Sequence, residues 1–308
     1  SLDIWNWDIY LTPPAQKAQR KQLEEATCDA VINLGSSRHA IIPLSSNPFE
    51  RMSLADGGEC GHALILDSTP YLIHSTWDQN SLTDVYLADL DTGVRTLLFK
   101  GLNGRPSMSP TGKYLLWYSL DDLGIHCYDI AKGTETNLTE GIDGIFHDDE
   151  DDHPMTPPQI GRTAWYDDDK AILLTEKHDI WRIRPDGSRA VCLTGGKGRA
   201  GDIQYRYITL TRNDISPALM AVGVGRTISD KSELYLTAFD RKTKENGFAR
   251  VRADKCGLLE SFTARNVYQN AAKALNADVI AFRKGDFKHP YDVFVTRDNW
   301  ASEQQLSH

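Results

Sequence analysis

The sequence predicts an all-β chain, a β-propeller of four-stranded, WD40-like blades with a short N-terminal helix. Three observations carry the prediction. One stretch repeats itself at an offset of 40 residues, short strands alternate with Gly-bearing turns, and apolar runs of five or six residues lie between turns. Self-similarity at a period of about 40 to 55 residues is the signature of a propeller blade.

The echo is the firmest of the three. Asp89-Leu90-Asp91-Thr92-Gly93-Val94-Arg95-Thr96-Leu97-Leu98 aligns with Asp129-Ile130-Ala131-Lys132-Gly133-Thr134-Glu135-Thr136-Asn137-Leu138, and Gly101 returns as Gly141. In each copy a strand, Val85-Tyr86-Leu87 or Ile125-His126-Cys127, enters a turn whose Gly tolerates positive φ. A looser copy runs from Ile180-Trp181-Arg182-Ile183 through Pro185-Asp186-Gly187 to Ala190-Val191-Cys192. Further hairpins are expected at Glu233–Thr237, with a partner after Gly247, at Asp292–Thr296, and early on at Asp29–Leu34 with Ala40–Leu44. Between them, Lys113–Tyr118 follows Ser109-Pro110-Thr111-Gly112, and Lys170–Leu174 follows Asp167-Asp168-Asp169. Unbroken apolar runs of this length suit strands covered on both faces. A pair of immunoglobulin-like sandwiches also has many short strands, but it does not explain the echo. The hairpins amount to five or six blades; a ring of about seven or eight would need divergent copies or residues beyond 308.

Ahead of the blades, Thr12 and Pro13 are placed to start a helix over Ala15 to Ala26. With Trp5 and Trp7 before it, this polar segment reads as a strap against a neighbouring domain. The chain therefore divides into residues 1–28, strap and helix, and 29–308, the propeller.

Composition narrows the function. A formal net charge of −9 argues against nucleic acid, whose phosphates demand concentrated Lys and Arg. No stretch approaches the roughly 20 apolar residues of a membrane span. Cys28, Cys60, Cys127, Cys192 and Cys256 are odd in number and contain no C-x-x-C, so the expectation is buried structural thiols without a zinc site or disulfide framework. The chain opens on Ser1 rather than Met, as expected of a processed or engineered form from which any signal peptide would already be gone. Gly195-Gly196-Lys197-Gly198-Arg199-Ala200-Gly201 lacks the phosphate-loop spacing and reads as a flexible connection that opens no helix. Gly223-Val224-Gly225 lacks a nucleotide fingerprint, and Asn137-Leu138-Thr139 is a glycosylation sequon by coincidence inside the repeat. No cofactor is expected.

The most distinctive local feature is the run His147-Asp148-Asp149-Glu150-Asp151-Asp152-His153, five carboxylates between two imidazoles. Such a run must be solvated, paired with Arg or Lys, or neutralised by a cation. An exposed acidic inter-blade loop is the plainest reading. A face for a neighbouring domain or a peptide's ammonium group is the second, and Ca²⁺ or a transition metal the third, although the run lacks EF-hand spacing.

Several of these motifs resemble one family. Asp3-Ile4-Trp5-Asn6-Trp7, Ser109-Pro110-Thr111-Gly112-Lys113-Tyr114-Leu115-Leu116-Trp117, the acidic run with Pro154, Pro157-Pro158-Gln159-Ile160-Gly161, Trp165 and Asp179-Ile180-Trp181 resemble the propeller of prolyl oligopeptidase-family serine peptidases, in their bacterial dipeptidyl-aminopeptidase-like branch. The resemblance implies a propeller that roofs an α/β-hydrolase domain and restricts which peptides reach its triad, in the periplasm or outside the cell. The chain departs from the family in having no Gly-x-Ser-x-Gly, the strained turn that exposes the nucleophile. The expectation is therefore a non-catalytic gating and docking domain, excised from a peptidase whose hydrolase follows, with peptide substrate and that hydrolase as partners. The alternative is a stand-alone propeller that binds a protein or glycan, in a cytoplasmic or external location.

Overall fold

The computed structural model describes residues 10–35, 39–77, 82–210 and 227–307. After helix α1 (Pro13–Glu24) comes a two-stranded sheet of β1 (Ala30–Ile32) and β2 (Ile41–Pro43), and then five four-stranded antiparallel sheets. The first contains β3 (Glu50–Ser53), β4 (His62–Asp67), β5 (Leu82–Asp89) and β6 (Arg95–Asn103). The second contains β7 (Ser107–Met108), β8 (Tyr114–Tyr118), β9 (Ile125–Asp129) and β10 (Thr134–Asn137). The third is β11 (Ala164–Trp165), β12 (Ile172–Thr175), β13 (Ile180–Ile183) and β14 (Val191–Cys192). After α2 (Lys197–Gly201), the fourth is β15 (Ile203–Ile208), β16 (Glu233–Asp240), β17 (Asn246–Arg252) and β18 (Leu258–Ala264). The fifth is β19 (Val267–Lys273), β20 (Ile280–Gly285), β21 (Asp292–Thr296) and β22 (Gln304–Gln305). Within each of these five sheets the strands pair in sequence order, so each is a meander, the blade of a β-propeller.

The described residues of Ser1–Glu140 with Asp151–Pro157 form one compact unit; those of Gly141–Glu150, Pro158–Ile215 and Arg226–His308 form a second. The first holds the hairpin and two blades, the second three blades. Within each unit the blades pack face to face. Leu64 and Val85 of the first blade meet Leu115 and Trp117 of the second. Leu173 and Ile180 of the third meet Leu236 and Ala249 of the fourth, whose Phe248 meets Phe282 of the fifth. β8 and β12, the strands of the unbroken apolar runs, are covered on both faces: Leu115, Leu116 and Trp117 are buried, and so are Ile172, Leu173 and Leu174. That is why their sequences run apolar without alternation.

The echo is one turn built twice. Gly93 N–H donates to Asp89 O at 2.8 Å and Gly133 N–H to Asp129 O at 2.8 Å, with φ of 72° and 66° at the two glycines. The Asp side chain closes each turn, Asp89 Oδ1 accepting Thr92 N–H at 2.8 Å and Asp129 Oδ1 accepting Lys132 N–H at 3.0 Å. In the fourth blade the partner of Glu233–Thr237 lies after Gly247 as expected, with Thr237 opposite Phe248. The same device occurs at Asp240–Lys244, where Lys244 N–H donates to Asp240 O at 2.8 Å and Lys244 itself adopts φ of 63°. Gly247 lies inside β17, where a Cβ would drive into the Phe262 carbonyl oxygen of β18.

Ser109-Pro110-Thr111-Gly112 also has a structural reason. Buried Ser109 accepts Gly112 N–H on its carbonyl at 2.9 Å and Tyr114 N–H on its hydroxyl at 3.0 Å, while Gly112 (φ 74°) lies against Cys60. α1 forms as expected with Pro13 in its first turn and no buried residue, but the Thr12 side chain makes no capping bond. Gln16 Nε2 donates to Leu11 O at 2.7 Å instead. Trp5, Trp7 and Gly223-Val224-Gly225 lie outside the described residues.

Candidate functional site

The acidic run is divided by the fold. Residues up to Glu150 belong to the second unit, and Asp151, Asp152 and His153 to the first. In the second unit, His147 forms a bridge with Gln159, Asp148 N–H donates to Pro158 O at 2.9 Å, and Lys177 N–H donates to Ile145 O at 2.8 Å. This backbone frame brings the carboxylates onto the turn between β12 and β13. Lys177 Nζ then binds Asp149 Oδ2 at 2.7 Å and Glu150 Oε1 at 3.1 Å. Arg241, from the turn after β16, pairs with Glu150 and reaches Asp202 at 3.2 Å, and Asp202 in turn meets His178 at 3.3 Å.

The electrostatics follow from these contacts. Partial burial pushes the Asp149 carboxyl up, but the bond and charge of Lys177 outweigh it and hold the group below its ordinary value. The Lys177 ammonium is raised, mainly by its bond to Asp149. Beneath them, Arg206 donates to the carbonyls of Glu176 and Lys177 at 3.2 Å, and burial lowers its guanidinium pKa. Asp148, Asp149 and Glu150 remain exposed. The result is a fixed, outward-facing carboxylate group in which acids outnumber the bases touching them, an arrangement that attracts an ammonium or guanidinium.

The remaining three residues form a local turn of the first unit. Asp151 Oδ1 accepts His153 N–H at 3.1 Å and also bonds the His153 ring, and these bonds hold the Asp151 carboxyl below its ordinary value. Asp151, Asp152 and His153 each offer one ligand atom within 4.8 Å of the others, all at an exposed or half-exposed site. His147 belongs to the other unit. The expectation of five buried thiols is corrected by the fold: among the described residues, Cys28 and Cys256 are exposed, Cys60 and Cys192 half-buried, and only Cys127 buried.

Two motifs acquire different meanings. The glycine-rich stretch is not a structureless connection: Lys197–Gly201 is helix α2. Its first amides are taken by the protein itself, because Asp179, only 2% exposed, accepts Gly198 N–H at 2.9 Å, Arg199 N–H at 3.0 Å and the Thr194 hydroxyl at 2.6 Å. The sequon asparagine is likewise engaged. Asn137 accepts Thr139 N–H at 2.9 Å and donates to Asp122 at 3.1 Å.

Sequence reasoning missed Lys177 and Arg241. The only signal for Lys177 was Thr175-Glu176-Lys177-His178-Asp179, a charge-dense turn between two apolar strands, and Arg241 had none. It also missed a cleft of about 1080 Å³ in the second unit. The described walls carry Tyr207, Tyr235, Tyr268 and Phe248 beside Gln269 and Lys273.

No protein-family profile and no curated protein matches the chain. Solved structures do. TolB from Acinetobacter baumannii shares 14% identity, with 84% of this chain covering 52% of that one at a TM-score of 0.31. Porphyromonas gingivalis dipeptidyl peptidase 4 shares 11%, with 90% of this chain covering 41% of that one at a TM-score of 0.47. An oligogalacturonate lyase in complex with manganese shares 12%, with 92% covering 84% at 0.30. The chain thus spans about half the length of the TolB protein and less than half of the peptidase. At such identities the likeness is one of fold.

Proposed function

We propose that this chain is the substrate-gating and docking propeller of a prolyl oligopeptidase-like serine peptidase, with hydrolysis performed by an α/β-hydrolase domain outside it. The observation that carries the reading is the exposed carboxylate group Asp148, Asp149 and Glu150, in which Lys177 and Arg241 hold Asp149 and Glu150 in place. Fixed charge at a surface selects ligands by their charged terminus, and a peptide's ammonium is the complement. The sequence resemblance supports the family, and the absence of Gly-x-Ser-x-Gly from the sequence supports hydrolysis by a domain outside the chain. A periplasmic or secreted location belongs to the same proposal and rests on the resemblance. Among the described residues no helix is long and apolar enough to cross a membrane.

Two measurements test it. The purified chain should hydrolyse no aminoacyl chromogenic substrate, and the coding sequence beyond residue 308 should encode Gly-x-Ser-x-Gly within a few hundred codons. A stop codon soon after His308 overturns the reading. A second reading, a self-standing module for a protein or glycan, is favoured by the aromatic-walled cleft of the second unit. Such a module would bind its ligand at full strength after Asp149 and Glu150 are neutralised.

A further inference from the structure

The turn that carries Lys177 is gripped from β15 by a single side chain. Arg206 Nη1 donates to Glu176 O and to Lys177 O at 3.2 Å each, and to Tyr205 O at 2.8 Å, while Nη2 donates to Lys177 O at 3.2 Å. All four bonds end on backbone carbonyls, and among the described residues no carboxylate pairs with this guanidinium. The two carbonyls of the turn belong to the peptide planes on either side of the Lys177 Cα. A peptide plane is rigid, so fixing both planes fixes the two soft dihedrals of Lys177 and the direction of its side chain. The Lys177 amide is tied as well, to Ile145 O at 2.8 Å. Buried Glu176 closes the turn with Oε1, which accepts Asp179 N–H at 2.9 Å. From this base Lys177 Nζ reaches Asp149 at 2.7 Å and Glu150 at 3.1 Å.

We propose that Arg206 is the positioning residue of the carboxylate group: it locks the peptide planes flanking Lys177, so that the Lys177 ammonium holds Asp149 and Glu150 in the geometry that receives a ligand's ammonium. The inference rests on the docking reading of those carboxylates. Arg206 acts through the turn and not on the ligand. A planar fork suits the task, because its two nitrogens are set at a fixed separation and can hold neighbouring carbonyls together. A lysine would keep the charge but would concentrate its donors at one point.

The experiment compares the native chain with Arg206→Met and Arg206→Lys, each checked for cooperative thermal unfolding. Trace labelling with acetic anhydride, followed by peptide mapping, gives the reactivity of every lysine, with the exposed Lys113 as internal reference. An ammonium held by two carboxylates reacts slowly, so native Lys177 should be labelled at least about tenfold more slowly than Lys113. That ratio should fall to about twofold in Arg206→Met and to an intermediate value in Arg206→Lys. In calorimetry, the preference for a free over an amino-acetylated peptide should fall in parallel, from about tenfold to about twofold. A merely structural role would leave both ratios unchanged in a folded variant. A folded Arg206→Met chain whose Lys177 stays as slow as in the native chain overturns the proposal. Where that variant does not fold, native-like Lys177 labelling in Arg206→Lys overturns it. So does an unchanged peptide preference beside a quickened Lys177. Equal binding of both peptides by the native chain refutes the docking reading instead, and the labelling then still decides whether Arg206 aims Lys177.

Discussion

The buried carboxylates show how single residues are set by their partners. Glu50, with its side chain 2% exposed, is pushed up by burial, but Arg95 Nη1 at 2.8 Å together with the Ser46 N–H and hydroxyl outweighs that and holds its pKa below the ordinary value. A carboxyl depressed in the folded state stabilises above its unfolded pKa and loses that contribution as pH falls through the folded value. The stability advantage of the natural chain over Glu50→Gln should therefore be full near neutrality and shrink between about pH 5 and 3, as followed by thermal unfolding. An advantage that stays constant contradicts the pairing. Asp179 makes a second case, because it satisfies two α2 amides and a hydroxyl away from water. Asp179→Ala should cost about 3 kcal/mol in denaturant unfolding, since three donors lose their acceptor, and Asp179→Asn distinctly less. Neither Glu50 nor Asp179 could be told in the sequence from any solvated acid. The acidic run was visible because it is contiguous, whereas Lys177 and Arg241 stand 64 residues apart and only the fold joins them to Glu150.

Turns and strands were legible where local chemistry alone determines them. Asp89 to Gly93 and Asp129 to Gly133 announce themselves, since a left-handed residue and an Asp that caps the turn can both be read from four or five letters. The fourth blade hid its turn by placing Lys244 where the first two place Gly, while Gly247 answers a different need, the close approach of β18. These causes predict different responses. Lys244→Gly should stabilise by about 1 kcal/mol by relieving positive φ. Gly133→Ala, whose nearest neighbour is the Tyr128 hydroxyl at 3.6 Å, should cost about 1 to 2 kcal/mol for its backbone alone. Gly247→Ala must separate β17 from β18 and should cost more than about 3 kcal/mol, with lost cooperativity in unfolding. Equal costs at Gly133 and Gly247 would contradict this assignment. The helix boundary was less legible, because Thr12 has the right type for a cap but Gln16 takes the Leu11 carbonyl and the Thr12 side chain stays uninvolved.

At the scale of the whole molecule, five meanders of four strands and the β1–β2 hairpin contain every strand among the described residues, and the sequence holds no Gly-x-Ser-x-Gly. The blade architecture was readable because burial on both faces imposes apolar runs and the outer hairpin repeats. The assignment of the acidic run to two units was not, since contiguity in sequence says nothing about which compact body each half joins. Under the proposed function, the chain is a docking body whose selectivity lies in fixed surface carboxylates. The most direct test is a calorimetric titration of the chain with one peptide in two forms, free and acetylated at the amino terminus, repeated with the Asp149→Asn, Glu150→Gln double variant. The free peptide should bind at least about tenfold more tightly than the acetylated one, as the loss of a charge-assisted contact requires, and the variant should remove the difference. Equal binding of both forms, or a difference that survives in the variant, contradicts it.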